Sequence, residues 1–355
     1  CERHEPLRTG FEERAGEIVQ RVAPIARPVV VVDDLRQRAD AWDEALRLAR
    51  GETSTPFDLT RPPLLRARVL RIRPEESLLL LVLHHIVGDG WSSRILVREL
   101  GALYAEACGG PAANLPALPL TYKDYALWQR GQRWSGAAEF WRGRLAGAPP
   151  RVDLPTDRPL PETQSYRGAT YYQELPPGVL AGLKAVARSR GATVAAVGLA
   201  VFAALLYRLT RQGDLLLGMG VAGRERAGLE GLIGFFVNVL PIRLSLGDDT
   251  ELESLIDQAR DAVFQALDQR DYPFDLLVRD LAPPRQGNRQ PLINVVFEYQ
   301  NFGHLGQDGP GLPIRQDDAD QIQARLACLV DSQTAKHDLL VFLLDDGALG
   351  QLQME

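Results

Sequence analysis

The alternation of apolar and polar positions divides the chain into two stretches that each mix strands and helices. Short apolar or alternating runs predict strands, and apolar residues three and four positions apart predict helices. The first stretch has predicted strands near residues 28–32, 64–72 and 78–83 and helices near residues 41–49 and 93–107. The second has predicted strands at residues 166–175, 214–219, 237–246 and 291–299 and helices at residues 179–190, 193–209 and 252–270. This mixture predicts an α/β protein with two sandwich-like lobes joined by a linker.

Segments rich in proline and glycine separate the two stretches. They lie at residues 109–119 and 147–161, with a helical segment rich in tryptophan and arginine between them. Trp128 and Trp141 lie at helix-compatible positions in this segment and are expected to pack rather than to bind a substrate. We therefore predict an N-terminal lobe over residues 1–140, and a linker followed by a C-terminal lobe over residues 141–355.

The segment HHIVGDG, at residues 84–90, follows one of the predicted strands. The Leu/Val run at residues 78–83 is typical of a strand buried on both faces. Apolar residues return at helical spacing from Leu96 onward. The two histidines are thus predicted to lie where a buried strand ends and a helix begins. Adjacent strand residues point to opposite faces, so only one of them can face a given cleft, where a neutral imidazole suits a general base or an orienting group.

Asp89 lies at the predicted start of that helix. It is expected to cap the helix N-terminus, or to organise the loop by pairing with an arginine from elsewhere in the chain. A direct catalytic role is disfavoured, because a carboxylate at a helix start stays ionised and is a weak base. The remaining alternative is a purely structural segment of two packed histidines and a turn.

Composition and charge exclude several function classes. The chain is 24% charged and 45% hydrophobic, as an ordinary globular protein is, and its net charge of -6 comes without a Lys/Arg cluster that would favour nucleic acid. Its three cysteines, Cys1, Cys108 and Cys328, lack metal-like spacing, which favours a reducing cytoplasm over a disulfide scaffold. The longest apolar stretch, residues 193–209, is short for a membrane span and is predicted to be a buried helix capped by Thr193.

The run G-x-G-x-x-G at residues 218–223 resembles a dinucleotide-binding loop only superficially. Such a site needs a helix that opens at once. Further glycines at Gly231 and Gly234 disfavour that helix, so a structural turn is predicted. The isolated histidines His4, His304 and His337 are expected to be structural or surface residues.

Six segments, in order, resemble the signature motifs of condensation domains of nonribosomal peptide synthetases, within the chloramphenicol-acetyltransferase-like superfamily. The segment HHIVGDGWS at residues 84–92 resembles the H-H-x-x-x-D-G signature. The other similar segments are RHEPLRT (3–9), TYKDYALWQ (121–129), IGFFVNVLPIR (233–243), DYPFD (271–275) and NRQPL (288–292). Val239 stands where the family usually has threonine. The resemblance spans nearly all 355 residues.

The fold implied by the resemblance is two chloramphenicol-acetyltransferase-like α/β sandwich lobes arranged as a V, with the active site and a two-mouthed tunnel at their junction. Both lobes are expected to be truncated, because the chain begins at Cys1 directly inside a motif and ends soon after the apolar run at residues 339–344. The loop at residues 303–313 is expected to correspond to the family's latch across the lobes.

The activity implied by the resemblance is amide-bond formation between a donor acyl or peptidyl thioester and the amine of an acceptor aminoacyl thioester. His85 would orient the amine and take its proton. Gly90, at a helix N-terminus, would offer its backbone N–H to the developing oxyanion.

The remaining site residues are expected to shape the active site. His84 and Asp89 belong to the signature loop. An arginine is expected to pair with Asp89, with Arg243 as the first candidate and Arg3 as the second. The candidate substrate-channel residues are Trp91, Ser92 and Asn238.

No cofactor or metal is expected to bind the chain directly. The resemblance implies that phosphopantetheine arrives on donor and acceptor peptidyl carrier domains, with an adenylation domain adjacent, in a cytoplasmic synthetase of antibiotics or other secondary metabolites. The Trp-Ser ending of the signature favours the LCL type, which joins two L-configured residues. Intact histidines disfavour a heterocyclisation domain.

Three alternatives stay open at this point. An epimerisation domain shares the histidine signature, and a stand-alone acyltransferase that uses coenzyme A thioesters would share its chemistry. The non-enzyme alternative is a degenerate domain that recruits other proteins. Such a domain need not keep His85, Asp89 and Gly90, so their presence argues against it.

Overall fold

The computed structural model describes residues 1–159, 161, 164–283, 290–301, 333–345, 347 and 350–355. The described residues form two compact units. The first contains residues 1–132 and 224–236, and the second contains residues 133–223, 237–301 and 333–355 apart from the gaps named above. The proposed latch at residues 303–313, His304, Cys328 and part of the NRQPL segment lie outside the described residues.

The first unit combines a hairpin, a small sheet and helices. Strands β1 (Thr9–Arg14) and β2 (Glu17–Val22) form the antiparallel hairpin. The sheet has the order β3-β4-β5, with β3 (Val30–Asp34) parallel and β5 (Glu76–Leu83) antiparallel to the central β4 (Leu65–Arg73). The helices are α1 (Ala41–Ser54), α2 (Gly90–Ala107) and α3 (Tyr122–Arg130).

Strand β5 leads into the histidine segment but is not buried on both faces, so that prediction is wrong. It pairs with β4 alone in the described sheet, and Leu79 is 51% exposed. In contrast, Leu70 of the central strand is 1% exposed because it packs under α1 with Ala41 and Ala45. The continuous leucine run therefore forms an edge strand here. The composition of a strand does not by itself show whether one or both of its faces are buried.

The second unit is built on a six-stranded sheet with the order β6-β11-β10-β9-β7-β8. The strands are β6 (Tyr171–Glu174), β7 (Asp214–Val221), β8 (Asn238–Ser245), β9 (Val295–Gln300), β10 (Leu339–Asp345) and β11 (Gly350–Met354). Its helices are α4 (Ser135–Arg144), α5 (Val179–Ser189), α6 (Val194–Thr210), α7 (Leu252–Asp268) and α8 (Phe274–Leu281). Together with the first unit, this confirms the predicted α/β class.

Helix α6 lies in the core of the second unit. Thr193 caps it by accepting the backbone N–H of Ala196 at 3.1 Å, as predicted. Gly198 allows the helix to approach the sheet closely, since a Cβ there would lie 2.7 Å from the ring of Phe297. Across the described residues no single helix is long and apolar enough to span a membrane, and α5 with α6 passes that test only as a pair bent by 108°.

Most of the G-x-G-x-x-G run lies in strand β7, where the sequence predicted a turn, and the prediction that no helix opens directly after the run is confirmed. Strand β7 continues through Gly220 to Val221, and the residues between it and β8, all of which the structure describes, form no helix. A Cβ at Gly220 would lie 2.7 Å from Oε1 of Glu298 on β9. These glycines therefore allow strand packing and do not open a phosphate-binding helix.

Candidate active site

The two histidines lie just after β5, in a short 3₁₀ turn, and have different surroundings. His84 is half-buried, accepts the backbone N–H of Ile86 at Nδ1 (3.1 Å), and packs edge-on against Phe57 with ring centroids 5.7 Å apart. His85 is exposed to solvent. The local turn geometry thus gives His84 a structural contact and leaves His85 accessible to a reactant.

Asp89 is both the cap of α2 and the centre of a buried polar cluster. Its Oδ1 accepts the backbone N–H of Ser92 at 2.8 Å, which satisfies one of the free donors at the helix start. The residue is only 3% exposed. A carboxylate so deeply buried requires a charged partner and further donors.

Arg224 is that partner. Its Nη2 lies 3.0 Å from Asp89 Oδ1, and its Nη1 donates to the carbonyl oxygens of Leu229 (2.8 Å) and Leu232 (2.6 Å). Burial lowers the pKa of the guanidinium, and the neighbouring carboxylate opposes that shift. The prediction that an arginine from elsewhere in the chain pairs with Asp89 is confirmed, although the residue is Arg224.

The predictions that Arg243 or Arg3 pairs with Asp89 are wrong. Arg243 lies in the second unit, where its Nη2 is 2.7 Å from Asp214 Oδ2. Arg3 instead pairs with Glu99 on α2 at 3.1 Å. Each of these arginines has a nearer carboxylate, whereas Arg224 follows the glycine run that the sequence predicted only as a turn.

Ser92 completes the cluster and is 0% exposed. Its Oγ donates to Asp89 Oδ1 at 2.7 Å and accepts from Arg224 Nη2 at 2.9 Å and from the backbone N–H of Gly234 at 3.0 Å. The prediction that Ser92 lines a substrate channel is therefore wrong, because its hydroxyl is enclosed by protein groups.

These contacts attach the segment at residues 224–236 to the start of α2. Besides Gly234, Phe236 donates its backbone N–H to Asp89 Oδ2 at 3.1 Å. Trp91, a half-buried channel candidate, donates its indole N–H to the carbonyl oxygen of Glu230 at 2.9 Å. The segment is thus held from several sides by the residues that follow the histidine loop.

Between these attachment points, Phe235 reaches His85. The ring centroids lie 5.1 Å apart and the ring planes are inclined by 85°. The carbonyl oxygen of Phe235 accepts the hydroxyl of Tyr122 at 2.8 Å, and burial raises the pKa of that phenol, which keeps it a donor. No sequence signal pointed to the contact with His85, because it joins residues that are far apart along the chain.

His4 also supports this segment, through the backbone of Ile233. It is 5% exposed, its Nε2 lies 2.8 Å from Glu99 Oε2, and its Nδ1 accepts the backbone N–H of Ile233 at 3.5 Å. Burial lowers the pKa of the imidazole, against the opposing effect of Glu99. The predicted structural role of His4 is confirmed.

Gly90 and Asn238 have separate environments. Gly90 is the exposed first residue of α2, and a Cβ there would meet no atom within 4 Å. Asn238, in the second unit, uses its whole amide on the backbone. Its Nδ2 donates to the carbonyl oxygens of Arg270 and Tyr272, both at 2.8 Å, and its Oδ1 accepts from Phe274 N at 3.0 Å.

The fold and this loop together define a class of protein: a mixed α/β protein in which an exposed histidine lies beside a buried Asp–Arg bridge. The family model of the condensation domain matches residues 1–349. The chain is 40% identical over 328 residues to one of the proteins that make up linear gramicidin synthase of Brevibacillus parabrevis, covering 87% of this chain and 4% of that protein. It is 38% identical over 349 residues to phosphinothricin tripeptide synthetase PhsC of Streptomyces viridochromogenes, covering 97% of this chain and 31% of that protein.

Solved structures share the fold. The X-domain from teicoplanin biosynthesis superposes with a TM-score of 0.85 at 27% identity, covering 99% of this chain and 79% of that one. A four-domain nonribosomal peptide synthetase bound to AMP and glycine also gives 0.85, at 22% identity, covering 99% of this chain and 27% of that one.

The chain belongs to the condensation-domain family of nonribosomal peptide synthetases. Domains of this family form amide bonds and work with carrier and adenylation domains in multidomain synthetases. The chain spans only 4% to 7% of the three linear gramicidin synthase proteins that it matches.

Proposed function

We propose that this domain joins a donor acyl or peptidyl thioester to the amine of an acceptor aminoacyl thioester, as an LCL-type condensation domain. The observation that carries the proposal is the contrast within one loop. His85 is exposed, while Asp89, four residues later, is 3% exposed and paired with Arg224. The loop therefore offers an imidazole to a reactant and uses its carboxylate for support.

The proposed chemistry needs only modest base catalysis. An α-amine has a pKa of about 8, so a useful fraction is neutral near pH 7. Its nitrogen attacks the thioester carbonyl carbon, a tetrahedral species forms, and the C–S bond breaks. His85 orients the amine and takes the proton that the nitrogen loses. The departing thiolate then takes up that proton from His85, which restores the neutral imidazole and balances the reaction.

We propose that Gly90 stabilises the oxygen of the tetrahedral species. It is the first residue of α2, where backbone N–H groups lack partners within the helix and the helix dipole favours negative charge. Its exposure leaves room for a substrate oxygen next to that N–H.

The partners in this proposal are a donor and an acceptor peptidyl carrier domain, each with a phosphopantetheine arm, in a cytoplasmic synthetase with a neighbouring adenylation domain. The domain itself binds no cofactor. Trp91 stays a candidate channel residue beside the loop. Asn238 could line the channel only with its carbon atoms, because its side-chain amide is hydrogen-bonded to the backbone.

The test is product formation by the complete chain with both carriers loaded. His85→Ala is expected to lower the rate by at least about 100-fold, the lower range for loss of a general base. His337→Ala, in the second unit, serves as the control for the loss of a histidine outside this loop. Unchanged product formation by His85→Ala would remove His85 from the mechanism.

The alternatives predict other outcomes in the same assay. Inversion of the α-carbon without formation of a new amide would indicate an epimerisation domain. Equal rates with coenzyme A thioesters and with carrier-bound thioesters would indicate a carrier-independent acyltransferase. One observation supports the non-enzyme alternative, a degenerate domain that recruits other proteins. The teicoplanin X-domain has been solved in complex with OxyB, and that X-domain superposes on this chain with a TM-score of 0.81. No turnover of any amine and thioester would favour that alternative.

A further inference from the structure

Phe235 is an exposed aromatic residue within an otherwise buried stretch. Its side chain is 40% exposed, although Gly234 and Phe236 on either side are both buried. A phenyl ring left partly in water forgoes stabilisation that it would gain in a core. Its position therefore requires a local explanation.

The backbone on both sides of Phe235 is fixed by the residues that begin α2. Gly234 donates its N–H to Ser92 Oγ at 3.0 Å, and Phe236 donates its N–H to Asp89 Oδ2 at 3.1 Å. These attachments on both sides leave the intervening residue little freedom to rotate or shift. The carboxylate of the signature loop therefore determines where the Phe235 ring lies.

The ring so placed meets the imidazole of His85 edge-on. The centroids are 5.1 Å apart and the planes are inclined by 85°, the geometry that aromatic pairs prefer. His85 lies on an exposed turn, where an imidazole can sample more rotamers than in a core. The phenyl ring limits that freedom and covers the part of the imidazole that it contacts.

We propose that Phe235 is a positioning residue that holds the His85 imidazole in its reactive orientation. The inference rests on the proposed function of His85 as the group that orients the amine. It also assigns a task to Asp89, which acts on His85 by holding the backbone next to Phe235. A positioning role predicts an effect on the chemical step, with substrate binding left as it is.

The experiment compares Phe235→Leu with Phe235→Tyr in the complete chain, using both loaded carriers. Leucine keeps the apolar volume but removes the ring, and is expected to lower kcat by roughly 2- to 10-fold with KM unchanged, as the energy of an aromatic pair implies. Tyrosine keeps the ring and is expected to restore kcat. Phe264→Leu is the matched control, because Phe264 on α7 is 43% exposed.

A second measurement reads the contact without turnover. In protein labelled at its five histidines, Phe235→Leu is expected to move the NMR signals of the His85 ring, assigned with His85→Gln, and to leave those of His337 in the second unit unchanged. Equal kcat for Phe235→Leu and the parent, or a raised KM with unchanged kcat, would overturn the proposal. If the parent forms no product, the proposed function fails and the NMR signals decide: a shift of the His85 signals supports the contact, and no shift of them overturns it.

Discussion

The guanidinium of Arg224 lies 3.0 Å from Asp89 Oδ1, and the two side chains are 2% and 0% exposed. Charges this deeply buried are tolerated when hydrogen bonds satisfy most of their remaining donors and acceptors. Here Asp89 also accepts the backbone N–H groups of Ser92 and Phe236, and Arg224 donates to carbonyl oxygens of its own segment. The bridge thus fixes two segments that are 135 positions apart in sequence.

Breaking the bridge from one side is expected to destabilise the first unit strongly. Arg224→Met keeps much of the side-chain volume but leaves the Asp89 carboxylate buried without its cation, which typically costs about 3–5 kcal/mol. Urea unfolding at neutral pH measures the change. Adding Asp89→Asn to Arg224→Met should recover part of the loss.

The matched control for the bridge is the exposed pair of Arg211 and Asp248, whose side chains are 73% and 79% exposed. Asp248→Asn should leave the unfolding midpoint nearly unchanged, because exposed ion pairs contribute little. Similar effects at the buried and exposed pairs would contradict the importance given to burial.

Ser92→Ala is expected to destabilise the first unit by about 1–3 kcal/mol, since it leaves the N–H of Gly234 buried without an acceptor and removes one of the acceptors of Arg224. The neighbouring Ser93 is exposed on the same helix, so Ser93→Ala is the control and should have little effect. Thermal unfolding of both variants checks this prediction. A Ser92→Ala protein as stable as the parent would mean that water or a shift of the segment replaces the hydroxyl.

Gly90→Pro tests the proposed oxyanion donor because it removes one N–H and little else. Proline is favoured at the first position of a helix, and the preceding Asp89 has the extended backbone (φ -111, ψ -175) that proline requires of its neighbour. The rate of amide formation should fall by about 10²–10³-fold. Gly90→Ala keeps the donor and should keep most of the activity; equal rates for the two variants would rule the donor out.

Stability should depend on His4 below pH 6.5. Burial holds the folded-state pKa of this imidazole below its ordinary value of 6.5. The unfolded chain therefore takes up the proton first as the pH falls, so the contribution of His4 is fully present above pH 6.5 and is lost as the pH drops through the folded-state pKa.

Denaturation midpoints of the parent and His4→Gln between pH 5 and 8 check this. The variant should show a shallower loss of stability on the acid side. Burial also lowers the pKa of His337 in the second unit, so His337→Gln should remove a separate part of the slope. An unchanged slope in His4→Gln would show that this imidazole is not held neutral by the fold.

The sequence predicted elements best where local signals agreed. Helix α6 begins after Thr193 and α2 begins after Asp89, because a side chain that caps a helix acts within three residues. The hairpin of β1 and β2 was missed, since its strands carry charged residues such as Glu12 and Arg14 without apolar alternation. The strand predicted at residues 166–175 shrinks to Tyr171–Glu174.

By itself the sequence determined the α/β class, the family and the histidine loop, because these depend on residue types at fixed short spacings. Tertiary structure alone decided which arginine meets Asp89, that Ser92 is enclosed, and that Phe235 contacts His85. Each of these contacts joins positions more than 130 residues apart, or depends on which neighbours cover a side chain. Spacing along a chain carries no information about such contacts, because they form only when folding brings separate segments together.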